Sequence, residues 1–180
     1  MSDYSQSSYA QSAPPAYTGA PQNGGAAPAA LPKKFAILGL VGSLVAAVGS
    51  LVNWVVSEED MSDGGIKGMD GDGVITLIIS LVAAVLFIVT LARPKAPLYI
   101  GGGLLGAGAA VVAAINMADP ARLVAQYLEE KGASTEQAEK VADQLSDKFT
   151  AGPGIYMVLI GGLLALALGL VGFMKARKSN

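Results

Sequence analysis

Two residue types are missing from this chain altogether: among 180 residues there is no cysteine and no histidine. Without cysteine there is no disulfide, no thiolate nucleophile and no thiolate metal site. Without histidine the usual general base and the commonest metal ligand are gone as well. Charge is also scarce, at 14% of residues against about 25% in ordinary globular chains. The net charge of −2 and a pI near 5.0 exclude a dedicated nucleic-acid binder. Hydrophobic residues, at 52% with a mean hydropathy of +0.50, are what the chain has in excess. The length would suit one soluble domain or a small bundle of membrane helices, and hydropathy selects the bundle, with the lipid bilayer as its first partner.

Residues 1–31 are composed almost entirely of Ser, Gln, Tyr, Ala, Pro, Gly, Asn and Thr. Such a segment has little to bury against the entropy of ordering it, so it reads as a disordered cytoplasmic tail. Tyr4, Tyr9 and Tyr17 either decorate that tail or act as weak contact or phosphorylation sites for a partner. A signal peptide is not expected, because Lys33 and Lys34 arrive late and the following apolar stretch is too long for one.

Residues 32–180 form the second unit. Four uncharged apolar runs lie within it, at 35–56, 74–92, 97–115 and 154–174. Each is near the ~20 residues that cross a ~30 Å hydrocarbon core as a helix. The expected fold is therefore all-α, with four transmembrane helices and a small extracytoplasmic helical cap. Lys33, Lys34, Arg93, Lys95, Lys175, Arg177 and Lys178 flank the runs on one side of a four-times-crossing chain. The positive-inside rule then puts both termini in the cytoplasm of a plasma (inner) membrane protein. Trp54 and Tyr156 would stand at the outer interface and Tyr99 at the inner one.

Two outer loops follow from that topology. Loop 57–73 carries Glu58, Glu59, Asp60, Asp63, Asp70 and Asp72 against Lys67 alone. Asp70-Gly71-Asp72-Gly73 resembles a fragment of a calcium loop, which makes Asp70 and Asp72 weak Ca²⁺ candidates, although EF-hand spacing is missing. The plainer reading is a solvated acidic hairpin. Loop 116–153 predicts two short helices: one started by Asp119-Pro120 and ended by Gly132, and one started by Ser134 with Gln137 three residues on. The second would place Ala138, Val141, Ala142, Leu145 and Phe149 on one face. These two helices either pack on each other or offer a surface to a partner.

No Asp, Glu, Lys or Arg lies inside any run, which counts against proton relays, ion coupling and voltage sensing. Asn53 and Asn116 fall at outer ends where water would reach them, and Thr76, Ser80 and Thr90 can bond back to their own helix. Small residues recur every four positions: Gly102, Gly106, Ala110 and Ala114 in the third run, Gly161, Ala165 and Gly169 in the fourth. Such stripes let backbones approach closely in lipid, either within the bundle or against a membrane-protein partner or second copy. If the chain docks to a partner, the stripe through Gly102 and Ala114 is the expected contact.

A disordered tail rich in Pro, Gly and Tyr, a Trp54 closing the first run, and Gly71-Asp72-Gly73 opening into the second make up one pattern. In these features the chain resembles uncharacterised small four-span membrane proteins of high-GC Gram-positive bacteria. That resemblance implies the four-span topology and no particular activity. With no cofactor and no convergent catalytic groups in view, a non-enzymatic accessory, assembly or scaffolding subunit of an envelope complex is the expected function. The alternative is an oligomeric small-ion channel with the acidic loop at its mouth.

Overall fold

A helix begins at the basic pair and stops sooner than hydropathy suggests. The structure, a computed structural model, describes residues 33–57 and 65–178. The tail with Tyr4, Tyr9 and Tyr17, and the acids Glu58, Glu59, Asp60 and Asp63, lie outside the described residues. Helix α1 covers Lys33–Gly49, 17 residues in place of the 22 of run 35–56. A tight turn at Leu51 and Val52 follows, and Asn53–Ser57 then runs on as strand β1. The reason is local: Val52, Val55 and Val56 are β-branched and favour extended backbone. The Trp54 indole N–H also caps the helix end by donating to the Gly49 carbonyl at 3.0 Å.

Strand β2 (Ile66–Lys67) pairs antiparallel with β1, through Asn53 with Lys67 and Val55 with Ile66. Helix α2 (Gly73–Ala92), helix α3 (Ala96–Ala118) and helix α6 (Pro153–Lys178) are long and apolar enough to cross a membrane. Between α3 and α6 lie helix α4 (Pro120–Glu130), helix α5 (Thr135–Gln144) and strand β3 (Phe149–Ala151). Strand β3 pairs antiparallel with the other edge of β1, giving the sheet order β2-β1-β3. The cap is thus two helices and a small sheet, which corrects the expectation of helices alone.

The helix signals of loop 116–153 are realised closely. Asp119 accepts from the Arg122 amide at 3.2 Å, and Ser134 from the Gln137 amide at 3.4 Å. Gly132, at φ +99°, ends α4, with amides of Gly132 and Ala133 donating to the carbonyls of Glu129 and Leu128. Of the apolar face assigned to α5, Ala138 and Ala142 are buried, Val141 is exposed, and Phe149 belongs to β3 instead.

Helices α1, α2, α3 and α6 run alternately up and down. Gly42 faces Gly161 while Gly49 faces Gly154; Gly103 faces Gly169 while Gly106 faces Gly162. Helix α6 therefore lies between α1 and α3, touching each along a different glycine row. Helix α2 closes the ring, its Phe87 ring wedged between Gly39 and Gly102. Small residues line the interior: Ala36, Ala46, Ala83, Ala109, Ala113 and Ala165 are buried together with the glycines. Large aliphatics point outward, including Val41 and Leu44 on α1, Ile78 and Val85 on α2, Leu104 and Val111 on α3, and Ile160 and Leu163 on α6.

One continuous core joins cap to bundle. Trp54, Val55, Leu123, Val124 and Ala142 of the cap pack with Ala46, Ala109, Ala113, Ile155 and Val158 of the bundle. A second cluster around Phe87 and Tyr99 fills the opposite end. Both Trp54 and Tyr99 are therefore interior residues, Trp54 at 0% exposure, and neither is an interfacial anchor; Tyr156 is the exposed one.

Candidate functional site

The polar side chains that end the apolar runs converge where cap meets bundle. Asp72 sits at the start of α2. Asn116, in the last turn of α3, donates from Nδ2 to Asp72 Oδ2 at 3.1 Å and to the Val112 carbonyl at 2.9 Å. Arg122 of α4 brings its guanidinium to 3.3 Å from the same Oδ2. One carboxylate oxygen thus ties together α2, α3 and the cap. Beside it, the hydroxyls of Ser50 and Thr76 share a hydrogen bond of 2.8 Å, joining the end of α1 to the start of α2.

Burial decides what each contact contributes. The Arg122 and Asp72 side chains are 43% and 18% exposed, so solvent screening holds the ion pair itself to about 1 kcal/mol or less. Asn116 is fully buried, and its Oδ1 has no partner among the described residues. Its Nδ2 donates one hydrogen to the Val112 carbonyl and the other to Asp72, so loss of the carboxylate would leave a buried N–H unmet, at about 1–3 kcal/mol. The expected outer-end exposure of Asn116 is corrected: the cap covers it.

Two cavities flank the cluster, and Arg122 stands in the wall of each. One, of about 200 Å³, is lined by Asp72, Ile75, Val112, Ile115, Asn116 and Arg122. The other, of about 280 Å³ between α4 and α5, is lined by Asp119, Arg122, Glu139 and Asp143 with three alanines. With a guanidinium supplying the counter-charge, this arrangement suits holding the cap in register more than taking a free cation.

The Ca²⁺ candidates are not brought into a coordination shell. Asp72 is committed to Asn116 and Arg122, Asp70 lies in a single 3₁₀ turn over Gly68–Asp70, and no cluster of metal-competent carboxylates occurs among the described residues. The small-residue rows do come together, but on each other. Carbons added at Gly102, Gly106 and Gly169 would meet Phe87, Ala165 with Gly162, and Gly103 with Tyr99 respectively. Gly161 faces the Gly42 carbonyl and Ala46 amide, and Ala110 and Ala165 pack against Gly162 and Gly106. Ala114 is exposed. A four-residue step overshoots a helical turn by about 40°, so three steps carry Ala114 about 120° away from Gly102. Ala109, Ala113 and Asn116 take over the interface instead. As a free docking stripe, the Gly102–Ala114 row is therefore corrected: its buried members are occupied within the chain.

Of the site residues, Arg122 and Asn116 carried no motif; only their place, just at and beyond the end of an apolar run, marks them. Asn116→Asp sets a second carboxylate against Asp72 Oδ2. We expect this variant to lose about 2–4 kcal/mol of stability at neutral pH. Acidification should relieve the loss, because protonating one carboxyl restores a donor between the two oxygens. Thermal melts of both proteins across a pH series check this; a variant melting alike at acid and neutral pH would contradict it.

Comparison with known protein families, curated proteins and solved structures finds no match to this chain.

Proposed function

We propose that the chain is a four-span integral protein of the plasma membrane, both termini cytoplasmic, acting as a non-catalytic accessory, assembly or scaffolding subunit. The observation that carries the membrane part is the distribution of side-chain size. Helices that bury Gly, Ala and Ser and turn Val, Ile and Leu outward have no reason to associate in water, where the large apolar groups would be inside. In lipid, close backbone packing is what drives association, and large aliphatics face the acyl chains without cost.

Helix α1 is the fourth span in this reading. Its 17 residues reach about 25 Å. It lies antiparallel to both α2 and α6, and its outer face (Ile37, Val41, Leu44, Val48) is as apolar as theirs. The extended backbone of β1 is admissible next to the hydrocarbon because Trp54, Val55 and Val56 are buried in protein. The basic end would face the cytoplasm.

The non-catalytic part rests on the site's make-up: its carboxylate is tied to Arg122 and Asn116 and serves to fasten the cap. The permeation alternative is disfavoured by backbone contact along both glycine rows, which leaves no room for a water column between α6 and its two neighbours. What remains for a subunit of this kind is binding, through tail, cap or lipid-facing surface.

Because the chain has no cysteine, single-cysteine variants give a clean topology test. With an impermeant maleimide on intact cells, Lys67→Cys and Glu130→Cys should label, while Ala30→Cys and Lys95→Cys should label only after permeabilisation. Labelling of Ala30→Cys together with Lys67→Cys would remove α1 from the spans. Selective cation flux in liposomes would favour the channel instead.

A further inference from the structure

The end of the bundle opposite the cap is uniformly basic. Lys33, Lys34, Arg93, Lys95, Lys175, Arg177 and Lys178 gather there, and every described Asp and Glu belongs to the cap end. A groove of about 490 Å³ opens among these cations, lined by Val171, Phe173, Met174, Lys175, Arg177 and Lys178. Its wall is mostly apolar, with Lys175, Arg177 and Lys178 adding a smaller cationic part.

Aromatic rings hold several of these cations in place. The Lys34 and Lys175 ammonium groups lie 5.4 Å and 5.6 Å from the centre of the same Phe35 ring. The Arg177 guanidinium lies 5.6 Å from the Phe173 ring. Phe35 and Phe173 in turn pack against the buried cluster of Ala36, Phe87 and Tyr99. Cation–ring contacts of this kind restrain long side chains before any ligand arrives. The cationic rim is thus anchored to the folded core.

Such a wall fits an amphiphile. A free anion would use the cations and leave Met174 and Val171 without purpose, whereas a neutral acyl chain would leave the cations unmatched. We propose that this groove seats an acidic phospholipid, its phosphate between Arg177 and Lys178 and the first part of an acyl chain along Val171 and Met174. The inference rests on the membrane reading above. Charge complementarity selects the lipid class, since basic pockets at the ends of membrane helices take anionic headgroups.

The test uses the full chain, reconstituted into vesicles of phosphatidylcholine and phosphatidylglycerol in equal parts. The protein is then extracted in mild detergent, and the phospholipid retained on it is identified by mass. Retained phosphatidylglycerol should exceed its share of the vesicle. Arg177→Gln with Lys178→Gln should lower that enrichment by about fivefold per cation, roughly thirtyfold in all. Lys131→Gln with Lys140→Gln removes the same charge at the cap end and should leave it unchanged. Met174→Gln should weaken retention with no change of charge, and its exposed position keeps the fold intact.

Several outcomes would overturn the proposal: equal retention of the two lipids, equal loss in both double variants, or full displacement of the lipid by inorganic phosphate. Failure of the chain to float with the vesicles at all would instead overturn the membrane reading beneath it.

Discussion

Gly106→Leu should unfold the bundle, not merely detach it from another protein. A single carbon added at Gly106 would stand 2.7 Å from Ala165 Cβ and 2.8 Å from the Gly162 carbonyl oxygen, and leucine adds three more. Overpacking costs about 1–3 kcal/mol where neighbouring side chains can shift. Here the neighbour is backbone, and it has no free side to move toward. Gly161 on the next position of α6 is already seated against the Gly42 carbonyl and Ala46 amide of α1. The expected loss therefore exceeds about 3 kcal/mol, which consumes much of a typical domain's stability. Loss of the monodisperse peak on gel filtration in mild detergent is the readout. Val85→Leu, at a position 55% exposed on the outward side of α2, should stay within about 0.5 kcal/mol. A Gly106→Leu protein that melts like the unmutated chain would refute the α3–α6 packing.

Trp54→Ala should cost nearly as much, about 3–5 kcal/mol. The indole is fully buried, contacts Gly68 and Gly154, and closes the end of α1 through its N–H. Its removal leaves a cavity at the point where sheet, cap and bundle meet. Because Trp54 is the only tryptophan, fluorescence of the unmutated protein reports its environment directly. A buried indole resists both iodide in the water and brominated lipid at headgroup depth. An interfacial one would be quenched strongly by the latter. Strong headgroup quenching would therefore restore the interfacial placement that hydropathy suggests.

The contrast at Trp54 shows where sequence reasoning reaches its limit. Helices α2, α3 and α6 are legible because a long apolar run between charges has one economical conformation in lipid. Helices α4 and α5 are legible because Asp119, Pro120, Gly132 and Ser134 are local signals read within a single turn. The run 35–56 is legible only in part. Hydropathy does not distinguish an apolar strand from an apolar helix; the β-branched valines favour extended backbone locally, but one of the two edges of β1 is filled only by Phe149–Ala151, far along the chain. The site suffers in the same way. That Asp72 is polar and sits at a helix start can be read locally; that Asn116 and Arg122 converge on it depends on the packing of α2, α3 and α4. The small-residue rows are visible as rows, but which helix fills each depends on the ring order of the bundle. The outward turn of Ala114 follows from helical pitch alone and could have been computed from the spacing.

The pairing of β1 with β3 also sets an order of events during synthesis. Val55 lies opposite Ala151, so at about 5–20 residues per second the ribosome needs about 5–20 s to deliver the second strand after the first. In the membrane reading proposed above, β1 has one edge open beside a nascent membrane hairpin throughout that interval, with backbone donors and acceptors that lipid would not satisfy. Keeping the segment on the aqueous side until Phe149–Ala151 emerges avoids that exposure. The last helix to be made is then the one that closes the structure, because α6 follows β3 directly and inserts between α1 and α3.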